Sequence, residues 1–107
     1  MNSVNLQGNI ASAIDIRQAG EHTKARVLLA VDRPGKDKGA DFIRVVMWNA
    51  TAKNVAKFLD KGSKILVEGH IRGEFYDRKD GTKNLGLEVV AERVTFLDAR
   101  SSGRKAA

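Results

Sequence analysis

Apolar and polar residues alternate along most of this chain. Val4, Leu6, Gly8 and Ile10 are separated by polar neighbours, the period-two signature of a half-buried strand, and the run can continue through Ile14 and Ile16. Gly20-Glu21 marks a turn, and residues 24–31 read as a second strand. Residues 32–39, with Pro34, Gly35 and Gly39 among charged neighbours, read as an exposed loop. A third strand over 42–48 carries Phe42, Arg44, Val46 and Trp48 on one face and Ile43, Val45 and Met47 on the other. One segment departs from this period. Val55, Phe58 and Leu59, with Ala52 and Ala56 beside them, fall at helical spacing and predict a helix over 51–59. Asn49 or Thr51 is the expected cap at its start, and Lys61-Gly62 the expected closure at its end. Residues 64–76 form a long fourth strand and 84–97 a fifth, joined by a hairpin tip over 77–81 that ends in Asp80-Gly81. A change of parity near Val89-Val90 predicts a bulge or a strand covered on both faces.

The order is β-β-β-α-β-β, with one helix between the third and fourth strands. That is the connectivity of an all-β, five-stranded Greek-key OB-fold barrel. The expected organisation is one domain over 1–98, followed by a basic, disordered tail over 99–107. A chain of 107 residues has room for a single domain and a modest core. No internal repeat is visible.

Composition narrows the chemistry. Lys plus Arg is 19 against 13 Asp plus Glu, a formal charge of +6, which points towards polyanionic partners. The absence of cysteine removes disulfides, thiolate catalysis and Cys-ligated metals. The two histidines, His22 and His70, have no metal-ligand spacing, so neither a metal nor another cofactor is expected. The sequence holds no nucleophile elbow, no phosphate-binding glycine loop and no paired carboxylates on an apolar wall, so an enzyme is not expected. The N-terminus lacks a signal-peptide pattern and no apolar run is long enough to span a bilayer. The expectation is a soluble protein of the cytoplasm or nucleoid, with no membrane partner.

Binding unpaired nucleic acid requires cations to replace counterions at the phosphates and flat rings on which bases stack. Phe42, Arg44 and Trp48 offer both on one face of the third strand, and His70, Arg72 and Tyr76 share one parity on the fourth. Arg78, Lys79 and Lys83 at the hairpin, and Arg33, Lys36 and Lys38 in the earlier loop, add positive charge. The competing assignment puts Trp48 in the barrel core. Ile43, Val45 and Met47 already supply an inward face, however, and burying Arg44 is costly, which favours a groove-facing Phe42 and Trp48. Phe58 and Phe96 belong to the core, and Phe75, of opposite parity to Tyr76, points inward or to an interface. His70 reads as a satisfied strand histidine, and loop-tip lysines are ordinarily just solvated.

Over residues 3–97 the sequence resembles the bacterial single-stranded DNA-binding protein family. The resemblance rests on Val4-Asn5-Leu6-Gln7-Gly8-Asn9-Ile10, Leu29-Ala30-Val31-Asp32-Arg33-Pro34, Asp41-Phe42-Ile43-Arg44-Val45-Val46-Met47-Trp48, residues 52–63, Val67-Glu68-Gly69-His70-Ile71-Arg72 and Glu88-Val89-Val90-Ala91-Glu92. It implies an OB-fold assembled as a homotetramer, a dimer of dimers, with single-stranded DNA wrapped around its outside. It also implies that Phe42, Trp48 and Tyr76 are stacking positions, that Arg44 and Arg72 are their basic partners, and that Val4 and Leu6 lie on the dimer-forming edge. Three departures stand out. Gly35 replaces an aromatic, Glu74 stands where a base is common, and the acidic, Phe-terminated tip that recruits replication and repair proteins is missing at Arg104-Lys105-Ala106-Ala107. The resemblance implies either a trimmed chain or a tail-less paralogue, and such recruitment is not expected of these residues.

The leading expectation is sequence-independent binding and protection of single-stranded DNA in replication, recombination and repair. The alternative is a primosome-type OB module that serves protein assembly and binds nucleic acid weakly. RNA binding of the cold-shock kind ranks lower, because no Gly-Phe-Gly-Phe cluster is present.

Overall fold

The computed structural model describes residues 1–35 and 39–97. Its elements are β1 (Val4–Ile10), β2 (Asp15–Ala19), β3 (His22–Asp32), β4 (Ala40–Trp48), α1 (Asn49–Phe58), β5 (Lys64–Asp77) and β6 (Lys83–Phe96). The sheet order is β1-β5-β6-β4-β3-β2, and β1 also pairs with β3. The pairings β1–β5, β5–β6, β6–β4, β4–β3 and β3–β1 thus form a closed ring, which removes most free edges. All of them are antiparallel except β4–β6, a short parallel contact at Val45↔Val89 and Val46↔Val90. This is the expected all-β architecture with its helix in the expected place.

The predicted first strand is split in two. Ala11 N–H donates to Leu28 O (2.7 Å), and Leu28 N–H donates to Ser12 Oγ (3.0 Å). Two residues of the first strand therefore answer one residue of β3, with a hydroxyl standing in for a backbone carbonyl, and the strand bends as at a bulge. β1 and β2 both remain on β3, on either side of this break.

The core lies inside the ring. Ala25, Val27 and Leu29 of β3 face Val45 and Met47 of β4, with Ile65, Val67, Val89 and Ala91 on the opposite wall. Helix α1 closes one end by inserting Ala52 and Val55, followed by Leu59 just past its end. These three recur at helical spacing, so one stripe of α1 is apolar and the rest is polar. Phe58 and Phe96 pack against the margin of this core with ring centroids 6.5 Å apart.

Both helix ends differ from expectation. Neither Asn49 nor Thr51 caps α1; Trp48 holds the cap position without a side-chain bond. Asn49 sits in the left-handed region at φ 53°, and its Oδ1 accepts from Thr23 N–H (3.2 Å), which ties the strand-to-helix corner to β3 instead. At the other end Leu59 is already extended. Gly62, at φ 99°, serves a separate turn in which Ser63 N–H donates to Asp60 O (3.0 Å), as in a type II turn.

The expected bulge in the last strand is present, slightly beyond its predicted place. Glu68 pairs with Arg93 and Gly69 with Ala91, so Glu92 is the extra residue. Gly69 permits the close approach. A Cβ there would lie 1.9 Å from Val90 O, inside contact distance of backbone. Gly69→Ala is expected to destabilise the fold by at least about 1–3 kcal/mol, the range for overpacking a tight interior. A thermal melt at fixed protein concentration should show a transition several degrees lower, and an unchanged melt would refute the packing argument.

Candidate nucleic-acid interface

The β3–β4 register builds the outer face. Lys24 lies opposite Trp48, Arg26 opposite Val46, Leu28 opposite Arg44 and Ala30 opposite Phe42. Cross-strand partners share a face, so β3 sends two cations outwards beside the β4 aromatics. Ala30 is too small to shield its neighbour, and Phe42 is 63% exposed. Val46, on the same face, is fully buried between its register partners Arg26 and Val90. The outer face therefore has an apolar floor at its middle and open positions at Phe42 and Arg44.

On the neighbouring β5–β6 hairpin, Arg72 pairs with Glu88, Glu74 with Gly86 and Tyr76 with Asn84. Arg44, Arg72 and Tyr76 line one groove with Lys24 and Arg26. The first three were expected from sequence. Lys24 and Arg26 were missed, although Lys-Ala-Arg alternation in the second strand already places both on one face; only the pairing register shows which face it is. Glu74 and Glu88 also line the groove. Glu74 holds Arg72 in an exposed ion pair (3.2 Å), a contact of small net strength in water.

Each ring has its own surroundings. Phe42 borders an apolar cleft formed by Val4, Leu6, Ile43, Ile71, Leu87 and Val89, which shares Arg44 and Glu88 with the groove. Trp48 is half-buried, with the Lys24 ammonium 5.2 Å from its ring centroid and the His22 ring edge-on at 6.5 Å. Tyr76 is held by its neighbours: Arg78 donates to Asn84 Oδ1 (2.7 Å), and Asn84 Nδ2 donates to the Tyr76 hydroxyl.

The remaining expected positions are more dispersed. Arg33 forms an ion pair with Asp41 (3.0 Å), beyond the Phe42 end of the β3–β4 ladder. Lys36 and Lys38 lie outside the described residues. Arg78 and Lys79 are exposed at the hairpin tip. Lys83 pairs with Asp77, so alternation puts it on the face of Phe75 and Leu85, opposite Tyr76. Val4 and Leu6 are half-buried, their side chains packed against the core margin; β1 from Val4 to Gly8 pairs only with β5, which leaves its other backbone edge open among the described residues. Phe75, expected inward or at an interface, is 68% exposed where the hairpin extends past the barrel wall. His70 contacts Glu92 (3.2 Å). Among the described residues no group of acids and histidines is arranged to hold a metal, and no helix is long and apolar enough to cross a membrane.

A closed OB-type β ring, with cations and uncovered rings gathered on one outer face, is the form of a single-strand-binding module. The sequence model of the single-strand binding protein family matches residues 1–97, and the chain belongs to that family. It is 38% identical to single-stranded DNA-binding protein 3 of Listeria innocua, over 96% of this chain and 68% of that one. It is 40% identical to single-stranded DNA-binding protein 3 of Clostridium acetobutylicum, over 95% of this chain and 74% of the relative. The single-stranded DNA-binding protein of Clostridium perfringens is 36% identical, over 98% and 71% respectively.

The hairpin tip carries its own titrating group. Arg78 O accepts from Gly81 N–H (3.0 Å) and Arg78 N–H donates to Thr82 O (2.7 Å), with Gly81 at φ 88°, which is a type I turn closed by a glycine bulge. The Thr82 hydroxyl (2.6 Å) and then the Thr82 backbone N–H (3.0 Å) donate to Asp80 Oδ1 and hold its carboxyl below the usual carboxylate range. Because the folded value lies below the unfolded one, the carboxylate's support of the turn is complete above the ordinary value and disappears as pH falls through the lowered one. The Thr82 amide resonance should titrate with a midpoint below that of an Asp in a free peptide, and Asp80→Asn should abolish that titration.

Proposed function

We propose that this protein coats single-stranded DNA without regard to sequence, stacking bases on Phe42, Trp48 and Tyr76 while Arg44, Arg72, Lys24 and Arg26 neutralise the phosphates between them. The observation that carries this reading is the shared outer face. A freely exposed Phe42 and a row of cations lie on adjacent strands, where side chains alternate at a spacing that a single strand can follow. Rings offer every base the same π surface, so the binding tolerates any sequence. The action is stoichiometric: the bound strand is kept from re-annealing and shielded from nucleases during replication, recombination and repair in the nucleoid. Arg33, Lys36, Lys38, Arg78, Lys79 and Lys83 contribute at the edges of the path as additional phosphate contacts.

Self-association has a surface of its own. Ile71, Phe75, Leu85 and Leu87 leave an apolar face exposed on the side of the hairpin away from Tyr76, and clustered exposed apolar residues of this kind mark interaction surfaces. A second copy, packed there and along the open Val4–Gly8 edge, would cover it. We assign the homotetramer, a dimer of dimers, to these two surfaces. Leu85→Glu combined with Leu87→Glu is expected to lower the mass measured by light scattering to that of a dimer or monomer, with the melt retained. An unchanged mass would remove the hairpin from the interface.

The function is tested by titrating labelled dT oligomers at several salt concentrations. Each phosphate contact on a single strand contributes about −0.7 to the slope of log K against log salt, so affinity should fall steeply as salt rises. Phe42→Ala and Trp48→Ala should each weaken binding by about 1–3 kcal/mol, the loss of one stacked base. Absence of any complex at low salt would sink the proposal and favour the protein-assembly module, which a pull-down after nuclease treatment would then reveal.

A further inference from the structure

Trp48 is the only tryptophan of the chain, and its ring is already occupied. Lys24, its direct cross-strand partner, holds its ammonium 5.2 Å from the ring centroid, within the range of a cation–π contact. The His22 ring stands perpendicular to it with centroids 6.5 Å apart. Lys24 also lines the groove that contains Arg26 and Arg44. A base cannot stack on a ring face while an ammonium sits over it. An ammonium displaced from the ring is left free to pair with a phosphate of a strand lying in the groove it lines.

We infer that Lys24 is a positioning residue that guards Trp48. In the free protein it covers the ring, and on binding it exchanges the ring's π face for a phosphate, so that stacking on Trp48 and neutralisation at Lys24 occur together or not at all. The inference rests on the binding reading above and adds to it a coupled pair that Phe42, whose cross-strand neighbour is Ala30, does not have. The exchange involves no covalent step. It replaces one favourable contact of the ammonium by another, so the guard weakens binding little while it keeps a half-buried ring from remaining bare in water.

The test compares wild type, Lys24→Met and Lys24→Arg by Trp48 fluorescence during dT titrations across a salt series. Met keeps the aliphatic stem and removes the charge. Its log K against log salt slope should be smaller in magnitude by about 0.7, the share of one phosphate contact on a single strand, whereas Arg should retain the wild-type slope. The saturating quench of Trp48 should persist in Lys24→Met, because the face is then uncovered from the start. A Lys24→Met protein that loses affinity with an unchanged slope, or that matches wild type throughout, would overturn the inference while leaving the binding reading intact. A wild type that neither quenches nor binds at low salt would overturn both.

Discussion

The antiparallel ladder between β3 and β4 is the constraint on which the rest depends. Its register, from Lys24↔Trp48 to Asp32↔Ala40, sets which half of each strand is buried. One set of side chains, including Ala25, Val27, Leu29, Val45 and Met47, is delivered to the core. The other set, including Lys24, Arg26, Phe42, Arg44 and Trp48, is delivered to the outside. A slip of one residue would turn over the strand that moved, burying Arg44 and exposing Met47 if it were β4, or burying Arg26 and exposing Leu29 if it were β3. The hydrophobic penalty against that slip is large, so the core itself fixes the position of the cationic, aromatic-bearing face.

The ring can close around that ladder because backbone comes unusually close to backbone at two glycines. A Cβ on Gly8 would lie 2.3 Å from Ala30 O, and one on Gly69 would lie 1.9 Å from Val90 O. The first sits where β1 crosses onto β3, the second at the bulge that turns β5 and β6. Beyond that bulge the two strands leave the barrel wall as a free-standing hairpin. One of its faces joins the cationic groove through Arg72 and Tyr76, and the other carries Ile71, Phe75, Leu85 and Leu87. A single hairpin thus carries cations and Tyr76 on one side and an apolar surface on the other, because alternate residues of a strand point to opposite faces.

Much of this was legible residue by residue. Alternation located the strands, the spacing of Ala52, Val55 and Leu59 located the helix, and Asp80-Gly81 located the hairpin tip. The costs of burying Arg44 correctly set Phe42 outside. Legibility failed where a side chain chose a distant partner. Asn49 resembles a helix cap, but its carboxamide is bonded to Thr23 of β3, and Ser12 interrupts the first strand because its hydroxyl answers Leu28. Neither bond has a local signature.

The chain's periodicity, turn residues and excess of Lys and Arg by themselves determined an all-β barrel with one helix and a basic, aromatic-bearing strand. Those features act between neighbours in sequence, and neighbours are what a sequence displays. Tertiary structure alone decided that Lys24 lies over Trp48, that Glu88 enters the groove and that Lys83 faces away from Tyr76. Each of these depends on the register between strands, which is set by how the whole core packs and is written in no single segment.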